Sequence, residues 1–404
     1  PLLNSVLFSK NEDESDTLLL VGHHLIVDVI SWQIVIEDLE QLVEASQIGQ
    51  ELKLPMKTTS WLQWASRLRE EITSKTTLDE LTYWKKQSQP SENALPKSGS
   101  LEQNTISNMK TFTTVMDSAY TQAILQELPK VFNTHINDVL LTAVGSAVGN
   151  WSDSQTVRID IEGHGREMLF EDIDTTRTVG WFTTISPVII PVYKDQTNVQ
   201  RLKQVKDTMK IRPRNGIGYG LLSEQLGANV TNQSEISFNY LGHLKKGNDS
   251  YNFEMDKAGP DWDPNNKRPY LIDVVGRISD GKLYLNWNYC SQIHSQKEIE
   301  HVAAMAFDML EKLVKEAREP KVQGYSPSDF PIADMTQDQA DQMVNVLQMT
   351  ESWKRVNKVR PIQDCYPQTP IQQGLWFQSF ISEGKGDYHV QSVFSIKQSI
   401  DSAI

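Results

Sequence analysis

Near the start of the chain the hydrophobic pattern changes its period, and two histidines stand at the change. Leu18, Leu19, Leu20 and Val21 form a continuous apolar run that reads as a buried β-strand. From Ile30 to Leu42 the apolar residues Ile34, Val35, Leu39 and Leu42 alternate with Glu37, Asp38 and Glu40, which is helical spacing. His23 and His24 therefore sit on a strand-to-helix connection, followed by Asp28. Such a connection, gripped at both ends, can hold side chains rigidly toward a cavity. Adjacent residues leaving a strand point in opposite directions, so one histidine of the two is expected to face a substrate. On these residues alone the pair is either an acid–base site or two core or metal-binding imidazoles.

Composition narrows the classes. With 404 residues and 39% apolar content the chain can bury a large core in two or three domains, counting subdomains. A net charge of −13 and the absence of any basic stripe argue against a nucleic-acid partner. Cys290 and Cys365 are the only cysteines, too few for a disulfide framework or a Cys-based zinc site. That usage fits a reducing, cytoplasmic setting. No apolar run reaches membrane-spanning length and no signal peptide opens the sequence, so no membrane partner is expected. The chain opens on Pro1, and Gln391 to Ile404 reads as a strand and turn cut in mid-element. It is expected to be a piece of something longer, with both ends artificial.

Further along, Thr58-Thr59-Ser60 offers N-caps for a helix carrying Trp61, Trp64 and Leu68, and a second helix is expected near Thr77 to Lys86 with Leu78, Leu81 and Trp84. The tryptophans read as packing residues. Gln87 to Asn108, rich in Ser, Pro, Asn and Lys, reads as a linker or long surface loop. A strand (Thr111 to Met116) and two helices (Ser118 to Lys130, Asn137 to Trp151) follow. The second helix has an apolar stripe, and Ala143, Gly145, Ala147 and Gly149 would let a neighbour approach closely. Thr156 to Ile161 alternates as a strand, with Val157, Ile159 and Ile161 on one face. Ile185 to Val192 is another strand, which Pro187 marks as an edge or irregular start. Asn198 to Ile211 is an amphipathic helix running into a glycine-rich loop, Arg212 to Gly220. That loop follows a helix and lacks the Lys-Ser/Thr of a phosphate cradle, so nucleotide binding is rejected. Ser234 to Tyr240 is a strand; Tyr270 to Val275 and Lys282 to Tyr289 read as paired strands around Ser279-Asp280-Gly281. A helix from Ser295 to Ala317 closes this unit, and a polar helix spans Thr336 to Met349.

Glu162-Gly163-His164-Gly165-Arg166-Glu167 makes a poor strand and a poor helix. Its glycines allow close approach of backbone and substrate, so it reads as an active-site turn or as an ordinary surface turn. No His-Glu-x-x-His spacing supports a catalytic metal, and no nucleophile elbow or Cys–His pairing supports covalent catalysis. What remains is acid–base chemistry by His24 and Glu162. An imidazole exchanges protons near neutrality, and a carboxyl in a partly apolar site can have its pKa raised toward that range. Facing one another across a cavity, the two would make an epimerase; one base alone would suit acyl transfer. Asp28 reads as a residue that orients the loop through a buried charge pair.

As a set these motifs resemble nonribosomal peptide synthetase domains of the condensation superfamily. His23 to Trp32 (HHLIVDVISW) is similar to the family's His motif. Asp138 to Ala143, Glu162 to Glu167 (EGHGRE), Arg177 to Thr183 (RTVGWFT), Gly216 to Gly220 and Phe238 to Gly242 (FNYLG) resemble the epimerization branch. The resemblance implies an α/β (α+β) fold with two chloramphenicol-acetyltransferase-like lobes, here with the first lobe incomplete. It places an epimerization domain at 1–320, with 1–90 and 109–320 in the two lobes. A linker at 321–360 follows, then the truncated start of a condensation domain at 361–404, where Tyr366 to Phe377 matches that domain's first motif. It further implies an isomerase acting on an aminoacyl or peptidyl thioester carried on the 4′-phosphopantetheine of a carrier domain, with no cofactor bound by the domain itself. His24 and Glu162 would be the acid–base pair, Asn239, Tyr240 and Trp181 would line the site, and His23, Asp28 and Arg166 would support it. An upstream peptidyl carrier domain and a downstream condensation domain would be the partners. The alternatives are a condensation domain using His24 as its base and a silent docking module.

Overall fold

A six-stranded mixed sheet organises the chain. The structure is a computed structural model and describes residues 2–9, 16–51, 53–90, 92–227, 234–243, 247–248, 251–252, 262–319, 324–350, 360–381, 390–393 and 395. Two compact units divide it, residues 1–328 and 329–404.

The first unit begins with a hairpin of β1 (Leu3–Phe8) and β2 (Thr17–Gly22), antiparallel with Leu3 opposite Gly22. The expected strand is present, but it is not buried: Leu18 and Val21 are half exposed. Its pairing partner among the described residues is β1, which itself exposes Leu3, Leu7 and Phe8. Helix α1 (Val29–Gln47) follows, then α2 (Trp61–Glu71), capped by the Ser60–Gln63 box. The single helix expected near 77–86 is two, α3 (Lys75–Asp79) and α4 (Leu81–Gln87). Glu80 lies at the break. Its carboxylate turns inward to accept from Trp84 Nε1 at 2.8 Å and Arg214 Nε at 2.5 Å.

The sheet runs in the order β3 (Met109–Met116), β10 (Lys282–Cys290), β9 (Ile272–Ser279), β6 (Ile236–His243), β4 (Thr156–Gly163), β5 (Thr184–Pro191). The β4–β6 and β6–β9 pairs are parallel and the others antiparallel. A separate ribbon pairs β7 (Gly247–Asn248) with β8 (Tyr251–Asn252). As expected for a strand holding Pro187, β5 is an edge, where a missing N–H costs no ladder bond. The β9–β10 turn places Asp280 and Gly281 at φ 51° and 71°. That left-handed pair matches the twist of a two-residue hairpin.

Val157, Ile159 and Ile161 of β4 point to one side, where α5 (Ser118–Phe132), α6 (Ile136–Trp151), α7 (Asn198–Lys210) and α10 (Gln296–Ala317) close a core around Phe238, Trp287 and Leu310. Every residue of α6 from Asp138 to Gly149 is buried, not one stripe alone. The small residues allow it. A Cβ on Gly145 would stand 2.6 Å from Ile190, and one on Gly149 would stand 2.9 Å from Val192.

The described residues of 87–108 form a strap pinned at several points. Asn93 Nδ2 donates to the Asp153 carbonyl at 2.7 Å, Leu95 N–H to Glu235 at 2.7 Å, and Asn104 Nδ2 to the Tyr270 carbonyl at 2.9 Å. The glycine-rich segment expected as a loop begins as a tight turn, Pro213–Gly216, with Arg214, Asn215 and Gly216 in the left-handed region at φ 43°, 50° and 96°, and its remainder is helical, in α8 (Ile217–Leu221) followed by α9 (Ser223–Leu226). Glycine at 218 admits the Glu80 carboxylate, which a Cβ would meet at 1.8 Å. Trp64 packs with Phe182 and Ile217, and Trp84 with Leu222 and Leu226, so both are core residues. Trp61 differs. It is largely exposed and donates from Nε1 to the Trp181 carbonyl at 3.1 Å.

In the second unit, α11 (Gln337–Gln348) starts at a Thr336–Gln339 capping box. A helix spans Pro370–Ile381 with none of its side chains buried. Of the strand expected from Gln391, residues 391–393 and 395 are described and carry no strand; 394 and 396–404 lie outside the described residues.

Candidate active site

Strand alternation sends Arg158, Asp160 and Glu162 to the face of β4 opposite the helices. Parallel pairing sets Asp160 beside Ser237 and Ser237 beside Asp273, giving one polar row across three strands. Glu162 and Asn239 stand one step further along their strands. Asn239 Nδ2 donates to Glu162 Oε2 at 2.6 Å. Burial pushes the Glu162 carboxyl above the usual carboxylate range. The Asn239 donor and the His24 imidazole oppose that rise, and the charge of Asp273 adds to it. His24 and Glu162, far apart in sequence, are thus within electrostatic reach of each other.

His24 opens the short 3-10 turn His24–Ile26, and its ring lies 5.5 Å from that of Trp181. His23 caps the same turn: its Nδ1 accepts from Leu25 N–H at 3.1 Å, and its own N–H donates to the Leu2 carbonyl at 2.7 Å. The two imidazoles differ because His23 caps the 3-10 turn and His24 lies within it, one bonded to backbone and one beside Trp181.

An ion pair ties the two bases together. Asp28, four residues after His24, caps α1 by accepting from Ser31 N–H at 2.7 Å, and it also accepts from Phe182 N–H at 3.2 Å. Arg166, four residues after Glu162, donates to the Asp28 oxygens at 3.0 and 3.2 Å. Its Nη1 reaches the Thr175 and Thr178 carbonyls at 2.8 and 2.7 Å, and its guanidinium lies 4.0 Å over the Phe182 ring. Both side chains are almost fully buried, at 6% and 5% exposure. The shared spacing has a physical meaning. The chain from His24 to Asp28, the ion pair, and the chain from Arg166 back to Glu162 form one continuous path between the two bases.

Residues outside the expected set brace this path. Ser31 Oγ donates to the Gly180 carbonyl at 2.9 Å and accepts from Gly180 N–H and Arg166 Nη2, each at 3.0 Å, which exhausts a hydroxyl. Asp28-x-x-Ser31 is a cap spacing visible in the sequence, but its bond to Gly180 is not. Gly165, at φ +66°, lies so close to Phe182 that a Cβ would stand 1.7 Å from the carbonyl oxygen. Gly180 makes room for Trp61, which a Cβ would meet at 2.1 Å.

Tyr240 stands apart from this set. It follows Asn239 and so faces the helix side, packed against the core and close to Gly276. Burial holds its hydroxyl above the ordinary phenol range. Among the described residues no three His, Cys, Asp or Glu side chains converge as metal ligands, and no helix is long and apolar enough to cross a membrane.

Comparison with known proteins places this geometry. The family model described as "Condensation domain" matches residues 1–336. A linear gramicidin synthase protein of Brevibacillus parabrevis is 34% identical over 401 residues, 96% of this chain and 8% of that protein. Bacitracin synthase 3 of Bacillus licheniformis is 29% identical over 97% of this chain and 6% of its own length. The chain thus spans a small part of the curated relatives it matches. Among solved structures, the epimerization domain from the third module of tyrocidine synthetase B superposes with a TM-score of 0.72 at 31% identity, covering 78% of this chain and 73% of that one. The EpoB cyclization–docking bidomain of a Sorangium cellulosum synthetase, at 18% identity and a TM-score of 0.59 over 80% of this chain and 63% of that one, shares the fold. With its mixed α/β architecture, its His motif and its resemblance to synthetases along nearly its whole length, the chain belongs to the condensation-domain family of nonribosomal peptide synthetases.

Proposed function

We propose that this chain epimerizes the Cα of an L-aminoacyl or peptidyl thioester presented on the 4′-phosphopantetheine of a peptidyl carrier domain. The observation that carries the reading is Glu162, a half-buried carboxyl bonded to Asn239 and in the field of the His24 imidazole. Amide-forming condensation requires one base for an attacking amine and gives no work to a second acid–base group there. Inversion requires two. One group removes the Cα proton, the electron pair moves into the thioester carbonyl as an enolate, and the other group delivers a proton to the opposite face. Because burial makes Glu162 hold its proton to higher pH than an ordinary carboxyl, it is suited to donate while His24 accepts. Similarity to an epimerization domain supports the same reading. On this reading the upstream partner is the carrier domain, the downstream partner is a condensation domain that takes the D-configured donor, and the work is cytoplasmic.

The test is a carrier domain loaded with an L-aminoacyl group and mixed with the protein in deuterated buffer. Cα deuteration and a mixture of D and L product are expected, and both are lost in His24→Ala and Glu162→Ala. Absence of exchange in the unmodified protein, with amide formation when an acceptor amine is supplied, would establish condensation by His24 instead. Exchange surviving both substitutions would overturn the site.

A further inference from the structure

Among the described residues no hydrogen bond holds the His24 side chain, which stands exposed on its 3-10 turn with the Trp181 ring beside it, centroids 5.5 Å apart. A base that no hydrogen bond orients depends on packing for its direction. The direction of the Trp181 ring is in turn set through its backbone. On the peptide before Trp181, Ser31 Oγ holds the Gly180 carbonyl at 2.9 Å. On the peptide after it, Phe182 N–H donates to Asp28 at 3.2 Å and the Trp181 carbonyl accepts from Trp61 Nε1 at 3.1 Å. With both flanking planes held, φ and ψ of Trp181 are fixed, and its side chain keeps only its χ torsions. Ser31 and Asp28 belong to the segment that carries His24. Trp61 does not; it opens α2.

Trp61 is placed unlike the tryptophans that fill the core. It is 43% exposed, against 3% for Trp64 and 0% for Trp84. Its N–H is nevertheless spent on a backbone carbonyl, and its pyrrole edge lies on Gly180, where a Cβ would stand 2.1 Å from Cδ1 and 3.0 Å from Nε1. Stitches just before α2 bring it there. Thr178 Oγ1 donates to the Thr59 carbonyl at 2.6 Å, Thr59 N–H to the Asp174 carbonyl at 2.9 Å, and Asp174 N–H to Thr59 Oγ1 at 2.9 Å. We propose that Trp61 is a positioning residue for His24: its indole N–H, seated on Gly180, fixes the Trp181 backbone and so holds the Trp181 ring beside the imidazole. The inference rests on His24 being a base of the proposed reaction.

Two variants remove the contact in different ways. Trp61→Phe keeps a ring and deletes the N–H; Gly180→Ala keeps Trp61 and evicts it. The readout is the ring current on the His24 Cε1–H signal in protein labelled with ¹³C-histidine. That signal is assigned by its absence from His24→Gln and compared with its place in Trp181→Leu, where the indole is gone. In both variants it should move toward its place in Trp181→Leu, while the signals of histidines outside the turn stay. The kcat of Cα exchange should fall about threefold to tenfold, the worth of one neutral hydrogen bond, with KM for the loaded carrier unchanged. A role in stability alone would lower Tm and leave the His24 signal in place, and that result in both folded variants overturns the proposal. A rise in KM at unchanged kcat overturns it too, as does a His24 signal that Trp181→Leu does not move. If the signal moves in both variants but the unmodified protein exchanges no Cα proton, the positioning of His24 stands and the epimerase reading fails.

Discussion

Replacing Asp28 by alanine cuts the path that joins the two bases, and its cost can be worked from the contacts. The substitution removes the cap on Ser31 N–H, the acceptor of Phe182 N–H and both oxygens facing Arg166. Loss of an N-cap costs about 1 kcal/mol, and breaking a buried ion pair from one side costs about 3–5 kcal/mol because the other charge stays buried. The buried figure applies because neither side chain exceeds 6% exposure. The same two oxygens serve every role, so the terms overlap and a net loss of about 4 kcal/mol is expected. Urea unfolding followed by tryptophan fluorescence measures it, with amide exchange at Ser31 and Phe182 as the local readout. In a cycle with Arg166→Met, the double variant should lose less than the sum of the singles by about 2 kcal/mol. A single-variant loss below about 1 kcal/mol, or an additive cycle, would refute a water-excluded pair linking the two segments. The same variant should slow Cα exchange, since His24 and Glu162 would then be joined only through the wider fold.

Gly165→Ala places a side chain at φ +66° against the Phe182 carbonyl, where backbone meets backbone. The left-handed conformation alone costs about 1–2 kcal/mol, so thermal unfolding should show a larger loss than that, and a transition within a few degrees of the unmodified protein would contradict the packing. Asp138, buried and bonded to His135 N–H at 2.7 Å, has its carboxyl pushed up to about 6 by burial. A pKa raised on folding contributes stability that is complete below the unfolded value, about 3.9, and is lost as pH rises through about 6. Asp138→Asn, which keeps the acceptor, should abolish that slope in unfolding free energy between pH 4 and 7; parallel curves would refute the assignment.

Much of this was written in local pattern. Period-two and period-3.6 runs located the strands and helices, since each element must bury one face or stripe, and Asp280-Gly281 and Ser60 marked a turn and a cap through chemistry confined to a few residues. The acid–base residues were legible as residue types, and the equal four-residue offsets of Asp28 from His24 and of Arg166 from Glu162 were already present. What those offsets meant was not, because an ion pair between residues 138 positions apart exists only once β4 and the turn before α1 are brought side by side. Tertiary contact likewise decided that β2 is exposed, that the strap at 87–108 is pinned, and that α6 is buried on all sides. Most clearly, sequence identifies Glu162 as a carboxyl, whereas its hold on a proton is set by burial, Asn239, His24 and Asp273, which come together only in the folded chain.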